Sequence, residues 1–172
     1  MEKVRKIGID ARFFGPKDKG FGRYVQNLLL NLEKTDKENL YFVFLNRKRA
    51  DEYVPQNLNF QKILIGHNSL WPFKITKKIN GKNLDIMHFT CLPFPILYRN
   101  KAKVVFTVHD LTWKNFPPFK NFLKRIFYNL AFSRAIRKSQ AIIANSQYVK
   151  KDILKTYKIN PEKIKVVYEG IN

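Results

Sequence analysis

The chain has 172 residues, of which 45% are hydrophobic, including fifteen Phe and eight Tyr. It is long and apolar enough to bury one sizeable core, which excludes a disordered chain. The formal net charge of +20 predicts attraction to phosphate-bearing partners, namely nucleic acid, an anionic membrane face or phosphorylated substrates. One Cys excludes an internal disulfide framework, and three scattered His offer no metal-ligand spacing.

The first half of the chain predicts strands separated by loops and helices. A strand at residues 4–9 is followed by a Gly/Pro/Lys loop at 15–20 and a helix at 21–32. Strands at 40–45 and 59–65 come next, with one turn or a short helix between them at 46–57. A helix at 71–79 and a buried strand at 84–89 complete this half.

The second half continues the same alternation. The strand at 103–108 runs into His109-Asp110, and Pro117-Pro118 suit the entrance to a long helix at 119–138. A strand at 141–144, a helix from the N-cap Ser146 to about residue 157, and a strand at 163–167 follow. The alternation predicts an α/β fold with a Rossmann-like, doubly wound, mostly parallel sheet. Ligands bind at the carboxyl ends of the strands in such a sheet.

The first of these strand ends carries a glycine-containing loop, Gly15-Pro-Lys-Asp-Lys-Gly-Phe-Gly-Arg-Tyr24. Its glycines would let the backbone approach a ligand, and the first N–H groups of the following helix would point at an anion such as a diphosphate. The alternative is a flexible loop whose glycines only permit the turn, because the spacing is not that of the dinucleotide-binding fingerprint.

His109 directly follows the strand at 103–108. A histidine at a strand end, beside an acid and near a glycine loop, can donate a hydrogen bond to a sugar hydroxyl or orient a reacting group. The alternative is a histidine that satisfies its own loop backbone. His88, inside the preceding apolar strand, has the same two interpretations.

The long helix at 119–138 is basic and aromatic, and no Asp or Glu occurs between Asp110 and Asp152, while nine Lys or Arg do. One arc of apolar residues is predicted to pack on the sheet: Phe119, Phe122, Leu123, Ile126 and Leu130. Phe132 lies off this arc. It and the nearby cations are therefore candidates for contact with anionic lipid headgroups: Lys120, Lys124, Arg125 and Phe132.

Five segments, in order, resemble the N-terminal domain of family 4 glycosyltransferases, enzymes with two facing Rossmann-like domains (the GT-B fold). They are Ile7-Gly-Ile-Asp-Ala-Arg12 with Gly20-Phe-Gly-Arg-Tyr24, Asp85-Ile-Met-His-Phe-Thr90, Phe106-Thr-Val-His-Asp-Leu111, Ile142-Ile-Ala-Asn-Ser146 and Lys163-Ile-Lys-Val-Val-Tyr-Glu-Gly-Ile-Asn172. The first pair looks most like the mannosyltransferase-type members, which build cell-surface polysaccharide or lipid-linked glycans.

The resemblance implies a retaining transfer of a hexose, with mannose and glucose as candidates, from a GDP- or UDP-hexose to a glycan or lipid-linked acceptor. The nucleotide sugar is a substrate, and neither a metal nor another cofactor is needed. Gly20 and Gly22 would lie against the donor diphosphate, and His109 would be the catalytic contact to the sugar. The acceptor side would be lined by Asp10, Arg12, Asp18, Arg23 and Tyr24. The leaving phosphate would assist the incoming hydroxyl, so that no protein nucleophile is required.

The resemblance also divides the chain. Residues 1–168 correspond to the acceptor-binding domain and 169–172 to the start of an interdomain linker, with the C-terminal donor-binding domain absent. We expect such a chain, whether truncated or naturally split, to be inactive alone and to be cytoplasmic, with peripheral contact to the inner face of the membrane. The alternative is a non-catalytic basic module that binds anionic lipid or nucleic acid.

Overall fold

Seven parallel strands form one sheet in the part of the chain that the computed structural model describes, residues 3–66, 71–92, 94, 95, 97–115 and 121–170. The strands are β1 (Lys6–Asp10), β2 (Leu40–Asn46), β3 (Phe60–Ile65), β4 (Ile86–Phe89), β5 (Lys103–Val108), β6 (Ala141–Ala144) and β7 (Ile164–Val166). Their order across the sheet is β3-β2-β1-β4-β5-β6-β7, and each neighbouring pair is parallel.

Helices cover both faces of this sheet. They are α1 (Lys19–Thr35), α2 (Trp71–Asn80), α3 (Thr112–Asn115), α4 (Phe122–Lys138) and α5 (Gln147–Thr156), with 3-10 turns at Pro16–Asp18, Arg47–Glu52 and Pro161–Lys163. α1 packs on one face through Val25 and Leu29. α2, α4 and α5 contribute to the core on the other face. The predicted α/β, Rossmann-like sheet with helices on both faces is confirmed.

The strand order creates a crevice at one end of the sheet. The chain leaves β1 toward β2 on one side and later returns to place β4 on the other side of β1. In an open parallel sheet this reversal leaves a gap between connections that run in opposite directions, and ligands bind there. The carboxyl ends of β1, β4 and β5 are therefore where the functional side chains should be sought.

The observed bounds of several elements can be compared with the predicted ones. β5 and β6 have the predicted bounds, and Ser146 caps α5 by accepting a hydrogen bond from the Val149 N–H at 3.2 Å. α1 begins two residues earlier than predicted, at Lys19, so Gly20 lies with Gly22 in its first turn rather than in the preceding loop.

The side chain of Asn121 caps the start of α4. Its side-chain oxygen accepts hydrogen bonds from the N–H groups of Leu123 at 2.9 Å and Lys124 at 3.2 Å, which satisfies donors that have no partner within the helix. The predicted start of the helix at residue 119 and the candidate lipid contact Lys120 fall outside the described residues.

The prediction of which side of α4 is buried and which is exposed is wrong for both sides. Phe132 is 1% exposed and packs against Phe106 and Trp113, with ring centroids at 5.7 and 5.3 Å, so it cannot contact a membrane. The described members of the arc predicted to pack on the sheet are exposed: Phe122, Leu123, Ile126 and Leu130. The error has a physical cause: α4 is apolar on two opposite sides, so periodicity alone does not identify the buried one.

Candidate functional site

Hydrogen bonds join the carboxyl ends of β1, β4 and β5. The Thr90 hydroxyl, just after β4, donates to the main-chain carbonyl of Asp10 at 2.6 Å. The Thr90 carbonyl in turn accepts from Nε2 of His109, just after β5, at 2.9 Å. Three neighbouring strands thus hold His109 in one orientation at the crevice.

Aromatic rings surround the His109 imidazole. Phe21 and Tyr24, both from the first turns of α1, meet it edge to face at centroid distances of 5.0 and 4.8 Å, and its side chain is 12% exposed. Because Nε2–H is committed to the Thr90 carbonyl, Nδ1 is the ring atom left to face other groups. It lies 3.4 Å from a carboxylate oxygen of Glu169. The structure therefore brings two of the predicted site residues, His109 and Tyr24, into contact.

A buried polar chain lies behind His109. The Thr107 hydroxyl is 2.8 Å from Nε2 of His88 and 3.2 Å from the hydroxyl of Tyr24. Burial, and secondarily the nearby His109, lowers the pKa of His88 to about 4, so its imidazole is neutral at physiological pH. Burial likewise raises the pKa of Tyr24, against the opposing effect of its bond to Thr107. His88 thus supports the site through Thr107 and Tyr24 from within the sheet.

Asp10 and Arg12 form a buried ion pair. Nε and Nη2 of Arg12 donate to the two carboxylate oxygens of Asp10 at 2.7 and 2.6 Å. Burial opposes the charge of Arg12, but the Asp10 carboxylate outweighs it and the pKa of Arg12 is raised. Asp10 is 0% exposed, so the direct acceptor contact predicted for its side chain does not fit the structure. Because one carboxylate satisfies two guanidinium donors, Asp10 instead fixes the orientation of Arg12.

The two glycines of the first turn of α1 differ in what surrounds them. A Cβ on Gly22 would lie 1.8 Å from the carbonyl oxygen of Gly15, so Gly22 is needed for the loop to fold back onto the helix. A Cβ on Gly20 would meet nothing within 4 Å. Gly20 therefore leaves the backbone of the helix N-terminus open to a ligand. At Gly22, the close approach of the Gly15 carbonyl already explains why a glycine is present, without the predicted diphosphate contact.

The other predicted acceptor residues lie beside this turn. Asp18 is the half-buried N-cap residue of α1, Arg23 is exposed, and Tyr24 is half-buried against His109.

Asp110 is committed to the loop, because its carboxylate accepts hydrogen bonds from the N–H and hydroxyl of Thr112 at the start of α3. The lipid candidates Lys124 and Arg125 are exposed on α4.

A cavity of about 310 Å³ opens next to His109. Its lining is largely aromatic, with a few polar groups near the ends of β4 and β5, and includes Phe21, Thr107, His109, Trp113, Tyr128 and Phe132. Aromatic walls with few polar groups suit a ligand that presents a ring with hydroxyls or an apolar segment.

Sequence reasoning did not single out Thr90, Trp113 or Glu169. Thr90 had a usable signal, since it is the first residue after a predicted buried strand. Glu169 had none, because its approach to His109 depends on how β7 adds to the edge of the sheet.

Two further properties concern the described residues alone. They contain no group of three or more His, Cys, Asp or Glu placed to hold a metal ion. None of the helices among them has the length and apolar character needed to cross a bilayer.

The strand order, with a histidine and a helix N-terminus at the crevice, defines a Rossmann-like α/β domain. The sequence model described as Glycosyltransferase Family 4 matches residues 19–172. The chain therefore belongs to glycosyltransferase family 4.

Individual relatives agree with this assignment. The O-antigen chain mannosyltransferase RfbU of Salmonella typhimurium is 29% identical over 105 residues, which are 60% of this chain and 28% of that protein. The solved apo structure of the lipopolysaccharide outer core galactosyltransferase WaaB has the same fold. It matches with a TM-score of 0.58 at 17% identity, over 96% of this chain and 46% of that chain. The chain thus spans less than half the length of either protein.

Proposed function

We propose that this chain is the acceptor-side domain of a retaining glycosyltransferase that transfers a hexose from a nucleotide sugar to a glycan or lipid-linked acceptor. The observation that supports it best is the placement of His109 at the crevice, held by Thr90 and flanked by the first turn of α1. Membership of family 4 supports the reaction class. The likeness to a mannosyltransferase makes mannose, donated as a GDP- or UDP-sugar, a first candidate.

In the proposed reaction, the leaving group departs from the anomeric carbon of the hexose and the acceptor attacks that carbon on the same face of the sugar ring. The bond to the diphosphate oxygen breaks while the acceptor hydroxyl oxygen bonds to the same carbon, and the hydroxyl proton passes to the departing diphosphate. The anomeric configuration is retained and no protein nucleophile is used. His109 binds the sugar beside the aromatic cavity, and the open backbone at Gly20 stabilises the diphosphate as its charge grows.

Substitutions at His109 and Gly20 in the complete protein test these roles. His109→Ala should lower kcat/KM about ten- to a hundredfold, the scale of one lost hydrogen bond to a charged or developing-charge group. Gly20→Ala should raise the donor KM while leaving the thermal midpoint unchanged or higher. Lys34→Ala, on the exposed side of α1, is the matched control. Full activity in both site variants would contradict the proposed roles.

We propose further that residues 1–168 bind the acceptor while donor affinity resides mainly in a second domain, joined through a linker that begins at 169–172 or supplied by a partner chain. The 172-residue chain should then show negligible transfer in an assay with radiolabelled GDP- and UDP-hexoses and a lipid-linked acceptor extract. Added EDTA should not alter transfer by the complete protein, since we propose no metal. Robust transfer by the 172-residue chain would contradict the proposal that donor affinity resides mainly in a second domain.

The net charge of +20 also fits a non-catalytic module that binds nucleic acid or anionic lipid. A salt titration of RNA and DNA binding separates this alternative from the transferase. Tight binding at physiological salt, with no transfer by the complete protein, would favour it. We place the transferase instead in the cytoplasm, at the inner face of the cell membrane.

A further inference from the structure

The outward side of α4 carries exposed large apolar side chains, which we call the α4 patch: Phe122, Leu123, Ile126, Phe127 and Leu130. They are between 40 and 72% exposed. Their spacing of i, i+1, i+4, i+5 and i+8 puts them on one side of the helix, opposite the side that packs on the sheet. A contiguous apolar patch of this kind marks an interaction surface rather than scattered surface residues.

Cations continue the same side of α4 toward its end. Arg134 and Arg137 follow Leu130 by four and seven residues, and with Ser133 and Lys138 they line a surface depression of about 430 Å³ that begins at Leu130. One guanidinium nitrogen of Arg134 donates to the Tyr98 carbonyl at 3.4 Å. Within the described part of the chain, Nε of Arg134 is buried without a hydrogen-bond partner. The cationic side chains that line the depression, Arg134, Arg137 and Lys138, suit an anion.

The charged residues of α4 all have one sign. Lys124 and Arg125 flank it, both exposed, and no Asp or Glu occurs in residues 111–151. A partner that covers the patch must therefore supply apolar area and negative charge together.

We propose that the α4 patch docks this chain onto a bilayer containing anionic phospholipid. The apolar side chains enter the boundary between headgroups and acyl chains, and the depression at Arg134 and Arg137 receives a lipid phosphate. A bilayer surface presents these two chemistries in the required order, with apolar chains just beneath phosphates. The proposal goes beyond sugar transfer and does not depend on it, because docking is measured without donor or acceptor.

Vesicle sedimentation with the 172-residue chain tests the proposal. Vesicles of phosphatidylcholine alone should bind at least about tenfold more weakly than vesicles with 30 mol% phosphatidylglycerol, because each basic residue near an anionic surface adds to affinity. Leu123→Ser/Phe127→Ser and Arg134→Glu/Arg137→Glu should each lower affinity for the anionic vesicles about tenfold or more. Circular dichroism should show that both variants remain folded.

Two matched controls separate the patch from bulk properties. Val54→Ser/Leu58→Ser removes two exposed apolar residues elsewhere, and Lys34→Glu/Lys48→Glu makes the same change in net charge away from α4. Both controls should lower affinity by no more than about twofold. Equal losses in patch and control variants, or no binding to anionic vesicles, would overturn the proposal. So would sedimentation equilibrium showing that the chain self-associates through the patch, since a second copy would then be its occupant.

Discussion

His88 and Cys91 are buried groups whose ionisation the fold suppresses, and each gives a measurement at the scale of one residue. The His88 imidazole is enclosed in β4 and touches Thr107, and its pKa lies near 4 against an ordinary value of 6.5. The Cys91 thiol follows β4 at the crevice, and burial, aided by the Asp10 charge, raises its pKa to about 12. Both report on the packing around the site without requiring activity.

For His88 the pKa falls on folding, so the unfolded chain takes up its proton first as pH drops. The free energy of unfolding should therefore decrease as pH falls from about 6.5 to about 4, by about 3 kcal/mol from this group. Urea unfolding of the wild type and of His88→Gln across this range isolates the contribution, since the other groups are shared. A pH dependence that is the same in both proteins would show that His88 is not buried as described.

Cys91 should be unreactive toward DTNB in the folded chain and react fully in denaturant, because the thiolate is the nucleophile and burial disfavours it. Lys165→Cys introduces an exposed thiol on β7 and should add one rapidly reacting equivalent. Rapid reaction of Cys91 itself in native buffer would mean that the region after β4 opens readily.

At the scale of elements, the first turn of α1 forms part of the candidate site, and α4 has one side in the core and one side exposed. Gly22 gives space to the Gly15 carbonyl, while Gly20 faces open space. Gly22→Ala should therefore destabilise by about 1–3 kcal/mol, and Gly20→Ala should be neutral or stabilise by about 0.5 kcal/mol. Thermal unfolding of both variants measures the difference, and equal midpoints would contradict the close packing of the loop on the helix.

The two sides of α4 can be told apart by the same approach. Phe132→Ala removes a core ring between Phe106 and Trp113 and should cost about 3–5 kcal/mol. Phe122→Ala removes an exposed ring and should change the free energy of unfolding by about 0.5 kcal/mol or less. Chemical denaturation distinguishes the two, and the reverse ranking would restore the face predicted from the sequence.

These elements also show how far sequence reasoning reaches. The strands and the cap at Ser146 could be predicted because short β-branched runs and side-chain capping are local properties. The buried side of α4 could not, because apolar residues lie on both of its sides and only packing against β5 chooses between them. The burial of the Asp10–Arg12 pair could not be predicted either, because Thr90, which bonds to Asp10 from the end of β4, is distant from it in sequence.

At the scale of the whole molecule, the net charge of +20 outweighs the few ion pairs near the site. Like charges repel more strongly in the compact state than in the unfolded chain, and salt screens this repulsion over about 10 Å at 0.1 M. The thermal midpoint should therefore rise between roughly 20 and 300 mM NaCl, a range chosen to precede the effects of molar salt. If ion pairs dominated, the midpoint would fall.

The identity of the anion separates screening from specific binding. At equal ionic strength, inorganic phosphate should raise the midpoint more than chloride, since a bound anion adds its binding free energy to the folded state. Arg134→Glu/Arg137→Glu should abolish the excess effect of phosphate if the depression on α4 is where it binds, whereas Lys34→Glu/Lys48→Glu should retain it. Both variants should also show a smaller rise with NaCl, because each lowers the net charge by the same amount. An excess that survives in both would place the phosphate elsewhere, with the first turn of α1 the next site to test.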